Sequence, residues 1–131
     1  MNIEIDNFEE KFEIIKKSIQ SAEFITFDTE FTGSKVIIED KPHEYDTYQD
    51  KYRKNKIGIE KFMVVQVGIT TFMWSNCKNK YIGRPFNILV YPRSIVQEEE
   101  RHFGANADTI AFLNRHFFDF NKVFRHGIPY T

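Results

Sequence analysis

The chain has a single cysteine, Cys77, so it can close no disulfide within itself, and a reducing compartment is expected. No apolar run reaches the roughly 20 residues of a membrane-spanning helix, and no membrane contact is expected from this segment. Its opening, Met1-Asn2-Ile3-Glu4-Ile5-Asp6, has neither the basic nor the apolar stretch of a secretory signal. The expectation is an intracellular protein, nuclear, cytoplasmic or both; an anchor beyond residue 131 of a longer parent stays open. Charge excess is also missing. Eighteen Lys and Arg face nineteen Asp and Glu, so no global field draws the chain to nucleic acid, and any such binding needs local patches. Internal repeats, low-complexity tracts and interdomain linkers are absent, which predicts one domain over residues 1–131.

Phenylalanine, by contrast, is abundant: 14 of 131 residues, in a chain 41% hydrophobic and 28% charged. That composition belongs to a globular protein with a real core. It also leaves apolar surface showing if part of the fold is missing.

Asp6-Asn7-Phe8-Glu9 has capping-box form, and Phe8, Phe12, Ile15 and Ile19 follow at helical spacing, which predicts a helix over 7–21. A strand is expected over 23–31 and a helix over 46–57. The latter carries a basic cluster (Lys51, Arg53, Lys54 and Lys56) that either contacts phosphates or is a solvated face. Residues 62–74 read as a long strand near the centre of a sheet, 75–80 as a polar turn, and 86–91 as a further strand closed by Pro92, paired antiparallel. The segment from Ser34 to Pro42 is undecided. Residues 93–105, with the acidic run Glu98 to Glu100, are expected to be a loop. Asn106 or Asp108 is placed to cap a helix bearing Ile110, Leu113 and Phe117, with a short helix over 118–124 after it.

Chemistry concentrates in Phe24-Ile25-Thr26-Phe27-Asp28-Thr29-Glu30-Phe31-Thr32-Gly33, an apolar run that ends in two acids. With a period of two, Ile25 and Phe27 share one face of the strand, while Thr26, Asp28 and Glu30 share the other. Two carboxylates on one rigid face suit a hard cation such as Mg²⁺; the alternative is an ordinary solvated strand end. An acid pair on a Phe- and Ile-rich sheet is costly without a partner or a metal. Gln66 and Gly68 lie mid-strand in an apolar setting. They mark either a neighbouring strand brought close to the acids or a bulge with one satisfied amide. The histidines, His43, His102, His116 and His126, show no metal-ligand spacing to one another or to Cys77.

Phe27-Asp28-Thr29-Glu30-Phe31-Thr32-Gly33 resembles the first motif of the DEDD 3′-exonucleases. Val65-Gln66-Val67-Gly68, the Phe86 to Pro92 strand and above all Phe120-Asn121-Lys122-Val123-Phe124-Arg125-His126-Gly127-Ile128-Pro129-Tyr130 resemble the CAF1-type, poly(A)-specific ribonuclease family in order. Glu30-Phe31-Thr32-Gly33 and Asn79-Lys80-Tyr81-Ile82 lean toward the branch that trims piRNA 3′ ends. The resemblance implies an RNase H-like α/β fold, a mixed sheet with flanking helices, incomplete in this chain. It implies a two-ion Mg²⁺ site, with Mn²⁺ able to substitute, acting on the 3′ end of poly(A) or a small-RNA precursor. Asp28 and Glu30 would be catalytic metal ligands, and Phe31, Thr32 and Gln66 would meet the substrate. A homodimer is a further implication. The family needs two more aspartates and a histidine base, and no later residue here matches them. The chain is therefore expected to be the N-terminal portion of such an enzyme, inactive alone, or else a truncated RNA-binding or protein-interaction module, or a product with no function of its own.

Overall fold

In chain order, the described residues of this computed structural model, 1–33, 43–93 and 102–130, form the following elements. They are β1 (Asn2–Ile3), α1 (Phe8–Gln20), β2 (Phe24–Phe31), α2 (Tyr48–Ile59), β3 (Val64–Ser75), β4 (Lys80–Tyr91), α3 (Ala107–Arg115), α4 (Phe120–His126) and β5 (Ile128–Pro129). The undecided stretch from Ser34 to Pro42 and the acidic run Glu98 to Glu100 lie outside the described residues. The result is a mixed α/β fold whose sheet runs β1-β4-β3-β2. β2, β3 and β4 pair antiparallel, β1 joins β4 in parallel, and β5 adds in parallel to the end of β4.

β3 lies between β2 and β4, as its β-branched and aromatic content predicts. β4 begins six residues earlier than expected, because its ladder with β3 runs unbroken from Gln66↔Leu89 to Ser75↔Lys80. Pro85 hides this in the sequence, yet it is tolerated for a geometric reason. Asn87, two residues on and oriented alike, donates its N–H to the Met1 carbonyl on the side away from β3. The missing N–H of Pro85 therefore costs no bond to β3.

Among the described residues, two small apolar clusters hold the layers together. Ile3, Ile15 and Phe86 pack with Phe8, Ile88 and Ile128, joining α1 to the sheet. Met63, Val65 and Val123 pack with Leu89, Tyr91 and Phe118, joining α4 to the other end. Full burial of each large side chain contributes roughly 1.5–3 kcal/mol. The tail motif is structural in its contacts. The Tyr130 hydroxyl accepts from the Val64 N–H and donates to the Val64 carbonyl, both at 3.1 Å, tying the end of β5 to the start of β3.

Three local expectations need correction. Asp6 does not cap α1; that place falls to Asn7, and the Asp6 carboxylate instead pairs with His126 Nδ1 at 2.7 Å. The apolar stripe of α1 is only partly used: Ile15 and Ser18 are buried while Phe12 and Ile19 stay exposed. The Ser18 hydroxyl bonds that of Thr71, at 3.0 Å, which sets this helix over β3 rather than over β2. Among the described residues β2 is thus not a buried strand but an edge strand, and Phe27 is 80% exposed. Elsewhere, Thr47 caps α2 through a reciprocal box with Asp50, and the basic cluster is largely ion-paired. Arg53 meets Asp50, Lys54 meets Asp46 and Lys56 meets Glu60.

Candidate functional site

The register between β2 and β3 builds the site. Asp28 faces Gly68 and Glu30 faces Gln66, and on the next strand Asn87 faces Gly68. Alternation puts these residues on one face of the sheet, with the two acids about 7 Å apart at their Cα atoms for a rise of ~3.4 Å per residue. They line a shallow groove of about 210 Å³ together with Thr26 and Thr70. The ladder is regular at Gly68, and its register shift falls beside Gln66 instead, between the pairs Glu30↔Gln66 and Phe31↔Val64. A Cβ on Gly68 would meet the Asp28 carbonyl oxygen at 3.7 Å, an ordinary contact. Close packing therefore does not demand glycine here; its effect is to leave the groove floor open beside Asp28.

The acids differ in environment. Asp28 is exposed, and its Oδ1 accepts from the Thr29 N–H at 2.8 Å, which orients the carboxylate. Glu30 is half-buried. Burial raises its carboxyl above the usual range, the neighbouring Asp28 charge adds to the rise, and His116 offsets part of it. Glu30 also borders two larger cavities. One, of about 630 Å³, takes in Gln66, Asn87, Phe112, His116 and Lys122. The other, of about 570 Å³, takes in Phe31, Phe112 and Asp108.

Mg²⁺ is commonly held by one or two carboxylates and keeps several waters. Asp28 and Glu30 fit that share for one hydrated ion on an open face. Among the described residues, no group of three or more His, Cys, Asp and Glu is placed to hold a metal. The acid pair thus suits one cation, and a second octahedral ion would need oxygen donors from elsewhere.

Of the residues singled out from the sequence, Asp28, Glu30 and Gln66 come together, and Phe31 flanks them. Thr32 does not join them. It is buried, its hydroxyl donates to the Gly104 carbonyl at 2.7 Å, and the same oxygen accepts from the Met63 N–H at 3.1 Å. Both roles of the hydroxyl are taken, and Thr32 clamps the end of β2 to two other segments. Gly33 follows it for space, since a Cβ there would collide with the Phe62 ring. Sequence reasoning missed Asn87, Phe112, His116 and Lys122. Asn87 was reachable by carrying the β3–β4 pairing through Pro85. The other three come from α3 (Phe112), its C-terminal cap (His116) and α4 (Lys122), whose approach to β2 has no local signal.

A family description, CAF1 family ribonuclease, matches residues 3–131. The chain belongs to the CAF1 family of ribonucleases. Among curated proteins of that kind it is 34% identical over 137 residues to poly(A)-specific ribonuclease PARN of Xenopus laevis, a match covering 99% of this chain and 21% of that one. It is 31% identical over 130 residues to the pre-piRNA 3′-exonuclease trimmer of Bombyx mori, covering 99% of this chain and 24% of that one. The chain therefore spans between a fifth and a quarter of the length of these CAF1 relatives. The fold aligns with S. pombe Pop2p, solved in a Mg²⁺- and Mn²⁺-bound form, at a TM-score of 0.65 and 15% identity, over 97% of this chain and 47% of that one. This likeness establishes the RNase H-like architecture of the CAF1 fold.

Proposed function

We propose that this chain carries the first two acids of a divalent-metal-dependent 3′-to-5′ exoribonuclease acting on the 3′ end of poly(A) or of a small-RNA precursor. The observation that carries the reading is Asp28 and Glu30 side by side on the open face of β2, in a chain of the CAF1 family. The names of the PARN and trimmer relatives support the substrate class, and the metal-bound form of Pop2p supports the cation.

Asp28 and Glu30 would hold Mg²⁺ or Mn²⁺. When bound there, such an ion lowers the pKa of an attacking water and stabilises charge on the phosphoryl oxygens. Glu30 must release its proton to bind the ion, so its raised pKa makes loading pH-dependent. Gln66 presents an amide beside Glu30, and Phe31 an apolar edge, to the terminal nucleotide. The remaining acids and the base would come from sequence outside these 131 residues, which leaves the segment alone inactive. The product of the complete transcript should shorten 5′-labelled oligo(A) with Mg²⁺ or Mn²⁺. Asp28→Ala should cost at least about 100-fold in kcat, since even outer partners of a metal are worth 10–100-fold. Unchanged activity would overturn the site assignment.

Among the described residues no third acid or histidine joins Asp28 and Glu30 in a metal-holding group, which favours a second reading, a non-catalytic module that keeps RNA or protein contacts. A transcript that stops at codon 131, with salt-dependent binding of oligo(A) by the chain, would select it. Light scattering of the intact product tests the implied homodimer.

A further inference from the structure

The corner between α3 and α4 holds a residue that local rules disfavour. α3 ends in a Schellman arrangement, with the Phe118 N–H donating to the Leu113 carbonyl and the Phe117 N–H to the Asn114 carbonyl, each at 3.0 Å. This puts Phe117 at the position that must be left-handed, and its φ is 62°. Glycine is the usual occupant there, because a side chain is disfavoured in that conformation. A bulky residue persists in such a conformation only where something compensates. Packing does not: Phe117 is 95% exposed. The apolar anchor of the turn is its neighbour Phe118, which packs on the Met63–Val65–Val123 cluster.

The Phe117 ring stands instead at the rim of the cavity of about 630 Å³ that Glu30 and Gln66 also line. Lys122 lines the same cavity, with its ammonium 3.6 Å from Glu4. A flat exposed aromatic face, a cation and a carboxylate on one concave surface match the parts of a single nucleotide: base, phosphate and hydroxyl-bearing sugar. Proteins that bind single-stranded nucleic acid combine such stacking faces with cationic grooves.

We propose that Phe117 is a stacking platform for a nucleobase of a single-stranded RNA whose end lies at the Asp28–Glu30 pair. The proposal rests on the exoribonuclease reading and adds a subsite carried by the α3–α4 corner, across the cavity from Glu30 on the edge strand. The cost of a phenylalanine at a glycine position is then borne for binding rather than for folding.

The test is fluorescence anisotropy of labelled oligo(A) on the full chain without divalent metal, alongside thermal unfolding. Phe117→Gly removes the ring and relieves the backbone. It should weaken oligo(A) binding about tenfold, within the range of one base–aromatic stack. It should also raise Tm by a few degrees, on the order of 2–6 °C. Phe117→Tyr should keep the affinity, and an abasic oligonucleotide should bind both the unaltered chain and Phe117→Gly alike. Equal oligo(A) affinity with and without the ring overturns the platform and leaves the face for a protein partner. A lower Tm for the glycine variant also overturns it, by making the ring structural. Absence of oligo(A) binding by the folded, unaltered chain overturns it too, while the exoribonuclease reading is then judged separately by metal binding at Asp28 and Glu30.

Discussion

Glu30 is where burial and charge oppose each other. Its carboxyl is raised first by burial and then by Asp28, so the folded state holds the proton more tightly than the unfolded chain does. Folding is therefore favoured at low pH by this group, and that contribution is lost as pH rises through the raised value. Glu30→Gln should accordingly be more stable than the unaltered chain at pH 7 without metal. The gain should shrink as pH falls toward and below the ordinary carboxylate range, and urea unfolding at pH 7 and at about pH 3 checks it. Mg²⁺ should stabilise only the unaltered chain. Thr32 makes the complementary case. The resemblance gives it to the substrate, whereas its hydroxyl bridges Met63 and Gly104 inside the protein. Thr32→Val should cost about 1–3 kcal/mol in denaturant unfolding, the range for a buried N–H left without a partner. Metal affinity should be untouched.

At the scale of elements, β2 is the informative one. Among the described residues it ends the sheet; half of it is apolar, with Phe27 exposed, and it carries no lysine or proline. Such an edge is a template for association. Phe27→Lys should reduce concentration-dependent self-association of the isolated chain, read by light scattering, and leave its circular dichroism unchanged. The elements themselves were largely legible in the sequence. β3 declared itself by composition, α2 by its tyrosine spacing and α3 by Asn106, whose side chain accepts from the Asp108 and Thr109 N–H groups. What the sequence hid depends on distant partners. The length of β4 is set by pairing with β3 across Pro85, and the exposure of β2 by where α1 lands. Asp6 is drawn from its capping role by His126, 120 residues away. Phe117 continues the apolar spacing of α3 on paper, but the helix ends before it.

At the scale of the molecule, the described residues fold as a mixed sheet with two modest apolar cores and an open face, and that face holds the acids. The alternation that placed Asp28 and Glu30 together was readable from ten residues. The cavities around them were not, because they are closed by α3, which arrives from the far end of the chain. The most direct test of the account is a Mn²⁺ titration of the chain at pH 7.5, followed by electron paramagnetic resonance. One Mn²⁺ should bind per chain, Mg²⁺ should displace it, and Asp28→Asn or Glu30→Gln should each weaken binding at least about tenfold. Equal binding by the double variant Asp28→Asn, Glu30→Gln would contradict the assignment of β2 as a metal-bearing strand.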